Sequence, residues 1–134
     1  MIEREEMESA MEDRDPFTAQ IIGAAIEVHR ELGPGLLESV YQKCMEFELT
    51  ARGIEFRRLE RLPIHYKGQL VDDELVMDLF FPGRLVAELK AVEKIIPVHE
   101  AQLLTYMRLS RTHVGLLINF NVRVLKDGIK RFVL

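Results

Sequence analysis

Residues 75–90 of the chain read LVMDLFFPGRLVAELK. Two stretches in which apolar residues predominate, 75–81 and 85–92, flank the turn-forming residues 82–84 (Pro-Gly-Arg), and this pattern predicts a β-hairpin. The polar residues within its strands are two acids and a lysine. These three residues are therefore the first candidates for functional side chains.

The register of the hairpin decides which polar side chains meet. Glu88 and Lys90 project from the same face of their strand, because side chains alternate between the two faces. With a three-residue loop at 82–84, Asp78 lies opposite Glu88 on that face, with the side chains about 5 Å apart. A two-residue loop would place Ala87 opposite Asp78 instead, so the geometry depends on the loop length.

Two carboxylates that face each other repel, and a divalent cation between them would remove that cost. Oxygen ligands of this kind suit Mg²⁺ or Mn²⁺. Lys90, one step along the same face, is then placed to hold a water or a phosphate oxygen beside the metal. The pattern leaves a second interpretation open, in which Lys90 neutralises Asp78 and Glu88 on a solvated strand face.

Helical periodicity surrounds this hairpin. The first predicted helix starts at Asp15-Pro16, an N-cap followed by proline, and ends at Gly33-Pro34-Gly35. The second is predicted over residues 36–52, with Gly53 as its C-terminal cap. Its buried stripe is predicted to consist of Leu37, Val40, Cys44, Phe47 and Ala51.

Further strands are predicted at 54–60 and 62–66, interrupted at Pro63, and a helix at 98–110 with apolar positions at Leu103, Leu104, Met107 and Leu109. An apolar strand at 113–120 and one or two short strands within 122–134 follow. The order α-α-β-β-β-α-β-β predicts a mixed α/β fold with helices packed on a sheet. The apolar residues 114–120 either lie inside that sheet or continue it across a homodimer.

Composition bounds the class of protein. The chain has 134 residues, of which 48% are hydrophobic and 30% charged, as in an ordinary globular domain. We see neither an apolar run of about 20 residues nor the pattern of a signal peptide. The sequence has one cysteine, Cys44, which excludes internal disulfides and cysteine-based zinc sites. We expect an acidic tail over residues 1–14, a single domain over 15–134, a cytoplasmic location and no membrane association.

The charge is distributed unevenly along the chain. Residues 1–15 contain seven acids and two arginines, a net charge of −5. From Arg108 to the end there are six basic residues and one acid, a net charge of +5. A basic C-terminal third is compatible with a polyanionic partner such as nucleic acid, and equally with a solvated surface.

Polar residues at helical spacing add to the hairpin acids. Glu38 and Tyr41 are three residues apart on the second helix, and Gln102 and Tyr106 are four apart on the later one, with His99 one turn before them. Each group by itself is typical of capping, solvent or interhelical hydrogen bonds. Together they are also compatible with one cleft.

The segment 35–41, GLLESVY, resembles the motif that names the GxxExxY proteins, a family placed in the PD-(D/E)XK nuclease-like superfamily. The resemblance covers about residues 17–134 and includes IIGAAIEVH at 21–29, ELKAVE at 88–93, HEAQLL at 99–104, GLLINF at 115–120 and LKDGIKR at 125–131. It implies an αβββαβ core with a central mixed sheet flanked by helices, preceded here by one extra helix.

The resemblance also implies roles for the polar residues. Asp78 is similar to the metal-binding aspartate of the superfamily, although Met77 stands where proline is usual. The implied metal ligands are Asp78, Glu88, the carbonyl of Leu89 and Glu38, and Lys90 and Gln102 complete the implied catalytic set. Tyr41, Tyr106 and His99 are implied to support that set or to contact phosphate.

These residues predict a nuclease that uses Mg²⁺ or Mn²⁺ to hydrolyse phosphodiester bonds in DNA or RNA. Glu88 and Asp78 would bind the metal, and Lys90 would position the attacking water. The alternative is a non-catalytic nuclease-like module that binds nucleic acid or a protein partner, because fold does not determine function.

Overall fold

The computed structural model describes residues 15–134, and the predicted acidic tail at 1–14 lies outside them. The described residues contain helices α1 (Pro16–Leu32), α2 (Glu38–Ala51) and α3 (Pro97–Leu109), and a short 3₁₀-helix at Leu125–Gly128. The strands are β1 (Arg57–Tyr66), β2 (Gln69–Phe81), β3 (Leu85–Lys90), β4 (Val114–Asn119) and β5 (Ile129–Val133). They form one five-stranded mixed sheet in the order β1-β2-β3-β4-β5, so the predicted αβββαβ core with one extra helix in front is confirmed.

The chain divides into two compact units, which are described separately below. Among the described residues, the first unit contains 15–54, 89–93 and 118–129, and the second contains 55–88, 94–117 and 130–134. The expectation of a single domain over residues 15–134 stays a prediction.

In the first unit, α1 begins and ends at the predicted residues. The carboxylate of Asp15 accepts hydrogen bonds from the backbone amide and the hydroxyl of Thr18, which satisfies part of the unpaired first turn. Gly33 ends the helix with a positive φ of 67°, and its amide bonds to the carbonyl of His29 at 2.8 Å.

Helix α2 also ends as predicted, but its predicted buried stripe is wrong. Gly53 (φ 71°) and Ile54 bond back to the carbonyls of Thr50 and Leu49, the Schellman arrangement for a helix end. The buried residues of α2 are Tyr41, Gln42, Met45 and Leu49, whereas Leu37 and Phe47 are 73% and 76% exposed.

The reason for this difference is that α2 carries two apolar rows. The row through residues 41, 45 and 49 also follows helical spacing, with steps of four residues, and its centre lies about 100° or more around the helix from that of the predicted row. The ring of Tyr41 stacks on that of Phe120 at 4.5 Å between centroids, and Tyr41 is fully buried. The row that contains this tyrosine therefore faces the interior of the unit.

The second unit is built on the β1–β2 hairpin. Strand β1 continues through Pro63, where a strand break was predicted, and the irregularity there is a shift in register between Leu62 and Ile64. The core of this unit consists of Leu62, Met77, Val86, Leu103, Tyr106, Met107 and Leu117.

Helix α3 and strand β4 complete that core. Leu103 and Met107 are buried as predicted, but Leu109, at the end of α3, is 41% exposed. A Cβ at Gly115 would lie 2.4 Å from the sulfur of Met107, so the glycine allows strand and helix to approach closely. Because β4 (Val114–Asn119) is an interior strand of the sheet, all but the last of the apolar residues 114–120 lie inside the sheet, the first of the two predicted alternatives.

Candidate functional site

The register of the β2–β3 hairpin follows the three-residue loop. Leu79 pairs with Ala87 and Phe81 with Leu85, and the amide of Arg84 closes the turn on the carbonyl of Phe81 at 2.9 Å. Continuing this register by one residue places Asp78 opposite Glu88, as the three-residue loop predicts.

Strand pairing between β2 and β3 changes at these two acids. The backbone amide of Asp78 donates a hydrogen bond to Oε2 of Glu88 at 2.8 Å, so a side-chain carboxylate accepts where a backbone carbonyl would in a regular ladder. Glu88 is only 4% exposed, and Asp78 is half-buried. The Glu88 carboxylate therefore lies against the backbone of Asp78 at the point where the β2–β3 pairing ends.

Leu59 breaks the regular ladder on the other side of Asp78. The β1–β2 register pairs Arg58 with Leu79 and Glu60 with Met77, which leaves Leu59 opposite Asp78. Its φ of 47° is left-handed, a conformation that costs a non-glycine residue about 1–2 kcal/mol. Nothing in the sequence signals this residue, because leucine is not typical of that conformation.

Tyr106 of α3 faces the two acids. It is 4% exposed, and its pKa is raised to about 12, first by burial and then by the negative charges of Glu88 and Asp78. The structure therefore brings together three of the predicted site residues, Asp78, Glu88 and Tyr106, in the second unit.

A comparison with known protein families identifies the superfamily of the chain. The family model of the PD-(D/E)XK nuclease superfamily matches residues 15–132, nearly the whole chain. The chain belongs to the PD-(D/E)XK nuclease superfamily. No curated protein and no solved structure matches it. Membership in the superfamily indicates a nuclease-like function, and the finer assignment to the GxxExxY proteins stays a prediction.

Lys90, the lysine predicted to position the attacking water, is the last residue of β3. Its carbonyl accepts a hydrogen bond from the amide of Phe120 at 2.8 Å within the first unit. Val92, two residues after Lys90, makes two hydrogen bonds with the side chain of Asn119. Oδ1 of Asn119 accepts from the backbone amide of Val92 at 3.1 Å, and Nδ2 of Asn119 donates to the carbonyl of Val92 at 2.9 Å. These contacts fix the backbone that follows Lys90.

Asn119 was not among the predicted site residues. It is 3% exposed and stands in the apolar strand β4, where a polar side chain must find hydrogen-bond partners. The sequence signal for this residue was a polar side chain at the end of an otherwise apolar run. Its contacts indicate that Asn119 positions the backbone at Val92.

The motif residues of α2 take different positions. Glu38 is the first residue of the helix and is exposed. The hydroxyl of Tyr41 donates to the carbonyl of Gly33 at 2.6 Å and accepts from the amide of Leu36 at 3.2 Å. Tyr41 thus holds the turn between α1 and α2, and its implied contact with phosphate stays a prediction, as does the role of Glu38.

The remaining predicted residues lie on α3. Nδ1 of His99 accepts from the amide of Ile96 at 3.1 Å, which satisfies a donor at the start of the helix. Gln102 is exposed, four residues before Tyr106. Their predicted roles at the site stay predictions.

Two features are at issue among the described residues: groups of metal-binding side chains and helices that could cross a membrane. Within residues 15–134 there is no cluster of three or more His, Cys, Asp or Glu side chains arranged to hold a metal ion. The helices in that part of the chain are also too short or too polar to cross a membrane. Asp78 and Glu88 both lie close enough to Tyr106 for their charges to raise its pKa.

Proposed function

We propose that this chain is a metal-dependent nuclease that hydrolyses phosphodiester bonds in DNA or RNA. Asp78 and Glu88 hold Mg²⁺ or Mn²⁺, and Lys90 positions the attacking water. The observation that carries the proposal is that Asp78 and Glu88 both lie close enough to the buried Tyr106 for their charges to raise its pKa, with the backbone amide of Asp78 bonded to the Glu88 carboxylate. Membership in the PD-(D/E)XK nuclease superfamily supports the same site.

The donor set fits a hard divalent cation. Carboxylate and carbonyl oxygens are the ligands that Mg²⁺ and Mn²⁺ prefer, and Asp78, Glu88 and the carbonyl of Leu89 supply them. Glu38 would add a further oxygen. When bound, the metal would lower the pKa of a coordinated water and offset negative charge that develops on the phosphate.

The side chains around the acids have separable tasks. Lys90 lies two residues after Glu88 in β3, so its ammonium group extends from the same face and donates hydrogen bonds to water or to a phosphate oxygen. Tyr106, with a pKa of about 12, stays neutral at physiological pH. It therefore acts as a hydrogen-bond donor and not as a base, and Gln102 is proposed to orient Lys90 or the substrate.

Nucleic acid is the proposed partner because the C-terminal third is basic. Part of that charge is already paired: Lys130 contacts Glu100 at 2.8 Å, and Lys126 contacts Asp127 at 3.2 Å. Arg108, on the exposed part of α3, is therefore a better candidate for a contact with the phosphate backbone.

The test is cleavage by the purified full chain of single- and double-stranded DNA and RNA, with Mg²⁺ or Mn²⁺ and with EDTA. We expect metal-dependent cleavage that falls about 100-fold or more in Lys90→Met, since loss of one transition-state contact has effects of this order. Lys94→Met, an exposed lysine four residues further along, is the matched control and should cleave at the wild-type rate. Equal cleavage by both variants would overturn the assignment of Lys90.

A second candidate is a non-catalytic module that binds nucleic acid or protein. The observation that favours it is that, within residues 15–134, no group of three or more His, Cys, Asp or Glu side chains is arranged to hold a metal ion. Salt-sensitive binding of oligonucleotides without cleavage in either metal would support this candidate over the nuclease.

A further inference from the structure

Helix α2 has an apolar row on its outer side. This outer row is the stripe predicted to be buried: Leu37, Val40, Cys44, Phe47 and Ala51. Leu37 and Phe47 are 73% and 76% exposed, Ala51 is exposed, and Val40 and Cys44 are half-buried. Leu37 is the N-cap residue of α2, and Leu36, directly before it, adds an exposed side chain at that end of the row.

The fully buried side chains of α2 belong to a different row from the outer one. The interior face of α2 is provided by Tyr41, Met45 and Leu49, all of which are fully buried. Single exposed apolar residues are common on protein surfaces, but here three exposed residues are joined by two half-buried ones at regular helical spacing, which makes a continuous stripe. Such a stripe indicates a surface that is covered by something else.

The spacing of the row identifies what fits it. Its residues are separated by three, four, three and four positions, which is the alternation of a helix–helix seam with Leu37, Cys44 and Ala51 at one type of position and Val40 and Phe47 at the other. A second helix with the same alternation is complementary to this row. Helix α2 of another copy of the chain has it by definition.

The charges beside the row agree with a second copy. Lys43 and Glu48 stand immediately next to the row on opposite sides, at the two positions that flank a seam. Glu48 pairs with Arg52 of its own helix at 2.7 Å. When two such helices lie parallel, Lys43 of each faces Glu48 of the other, so each contact across the interface is attractive and shares the carboxylate with that arginine. An antiparallel pair would lose this pairing, because each flank would then face the same flank of the other helix.

We propose that the outer row of α2 is a homodimer interface, in which two α2 helices lie parallel about a twofold axis. A twofold axis requires each residue of the seam to lie near its own counterpart. Cys44 is at the middle of the row, seven residues from Leu37 and seven from Ala51, so the two Cys44 side chains meet at the centre of the interface. This inference does not depend on the proposed nuclease activity.

The length of α2 sets the strength of the dimer. Fourteen residues extend about 20 Å, so one helix pair buries less than the roughly 800 Å² per partner of a standard stable interface. The dimer is therefore weak and reversible, and it is populated only as the protein concentration rises.

The first experiment is sedimentation velocity of the full chain under reducing conditions over a hundredfold range of concentration. The wild-type chain should shift from monomer to dimer, and Phe47→Glu should remain monomeric throughout. Leu70→Glu introduces the same charge at a residue that is 59% exposed on β2, and it should dimerise like the wild type. A wild-type chain that stays monomeric over the whole range, or a Phe47→Glu dimer equal to wild type, would overturn the proposal.

The second experiment uses the single cysteine. Copper–phenanthroline accepts two electrons from two Cys44 thiols, which lose their protons as the disulfide forms, so only a dimer linked through Cys44 can result. We expect rapid linkage in the wild-type chain and a large loss of yield in Phe47→Glu. In the Cys44→Ser background, Ala51→Cys should also link rapidly if the helices are parallel. Linkage through Cys44 but not through Ala51→Cys would overturn the parallel arrangement.

A chain that lacks residues 1–14 tests the remaining alternative, in which these residues and not a second copy cover the outer row. If the outer row is the dimer interface, this shortened chain should dimerise with the same concentration dependence as the full chain. If the full chain is monomeric and only the shortened chain dimerises, residues 1–14 cover the row in the intact protein, and the proposal is wrong.

Discussion

Tyr106→Phe should change how the stability of the protein depends on pH. The ring of Tyr106 is buried, and its pKa is about 12 because burial and the charges of Glu88 and Asp78 disfavour the phenolate. In the unfolded chain the same hydroxyl has its ordinary pKa of 10.0. Between these two values the unfolded chain loses the proton while the folded chain keeps it.

The magnitude follows from the size of that interval. Below about pH 10 the hydroxyl is protonated in both states, and its full contribution to stability is present. Above pH 10 the free energy of unfolding falls by up to about 1.4 kcal/mol per pH unit, and the fall stops only above pH 12. The loss is about 2 kcal/mol by pH 11.5 and approaches about 3 kcal/mol in total. Tyr106→Phe has no proton to lose and lacks this decline.

Urea denaturation at several pH values from 8.5 to 11.5 measures the effect as the difference between wild type and Tyr106→Phe. Across this range the free energy of unfolding of the wild type should fall by about 2 kcal/mol relative to that of Tyr106→Phe. Tyr66→Phe, at a residue that is 63% exposed on β1, is the control and should run parallel to the wild type. A difference between wild type and Tyr106→Phe that does not vary with pH would refute the proximity of this hydroxyl to the two acids and its burial.

Three further changes test individual contacts, each by urea denaturation at neutral pH. Glu88→Ala should destabilise the chain by about 1–3 kcal/mol relative to Glu88→Gln, which keeps an acceptor oxygen for the Asp78 amide; equal stability would mean that this hydrogen bond is unimportant. Tyr41→Phe should cost about 1–2 kcal/mol through two lost hydrogen bonds in the α1–α2 turn, and an unchanged midpoint would contradict that role. Gly128→Ala should cost at least about 1–3 kcal/mol, because its Cβ would lie 2.1 Å from the backbone oxygen of Asn119, and a neutral substitution would exclude this close approach.

The hairpin and its acids were predictable from sequence for a physical reason. Side chains in a strand alternate strictly, so one assumption about the turn at 82–84 determined that Asp78 faces Glu88, and the observed register agrees. The helix limits at Asp15 and Gly33 followed from capping chemistry, which depends only on local residues.

Features that depend on distant partners were not predictable in the same way. Helix α2 offers two apolar rows, and the choice between them depends on the stacking of Tyr41 on Phe120, which lies far along the chain. Local sequence likewise contains no signal for the left-handed backbone at Leu59. The clamp of Asn119 on Val92 joins residues 27 positions apart. Such contacts arise only when the sheet has assembled.

Calorimetric titration of Mn²⁺ into the full chain tests the central proposal most directly, because it requires no guess about the substrate. The comparison is with Asp78→Asn/Glu88→Gln, which removes the charges but keeps the shapes, and with Asp72→Asn/Asp73→Asn as a matched control on the same strand. We expect binding by the wild type and by the control, alone or with an added oligonucleotide, and loss of binding in the Asp78/Glu88 variant. Equal binding by that variant, or no binding by the wild type under either condition, would contradict a metal site at these two carboxylates.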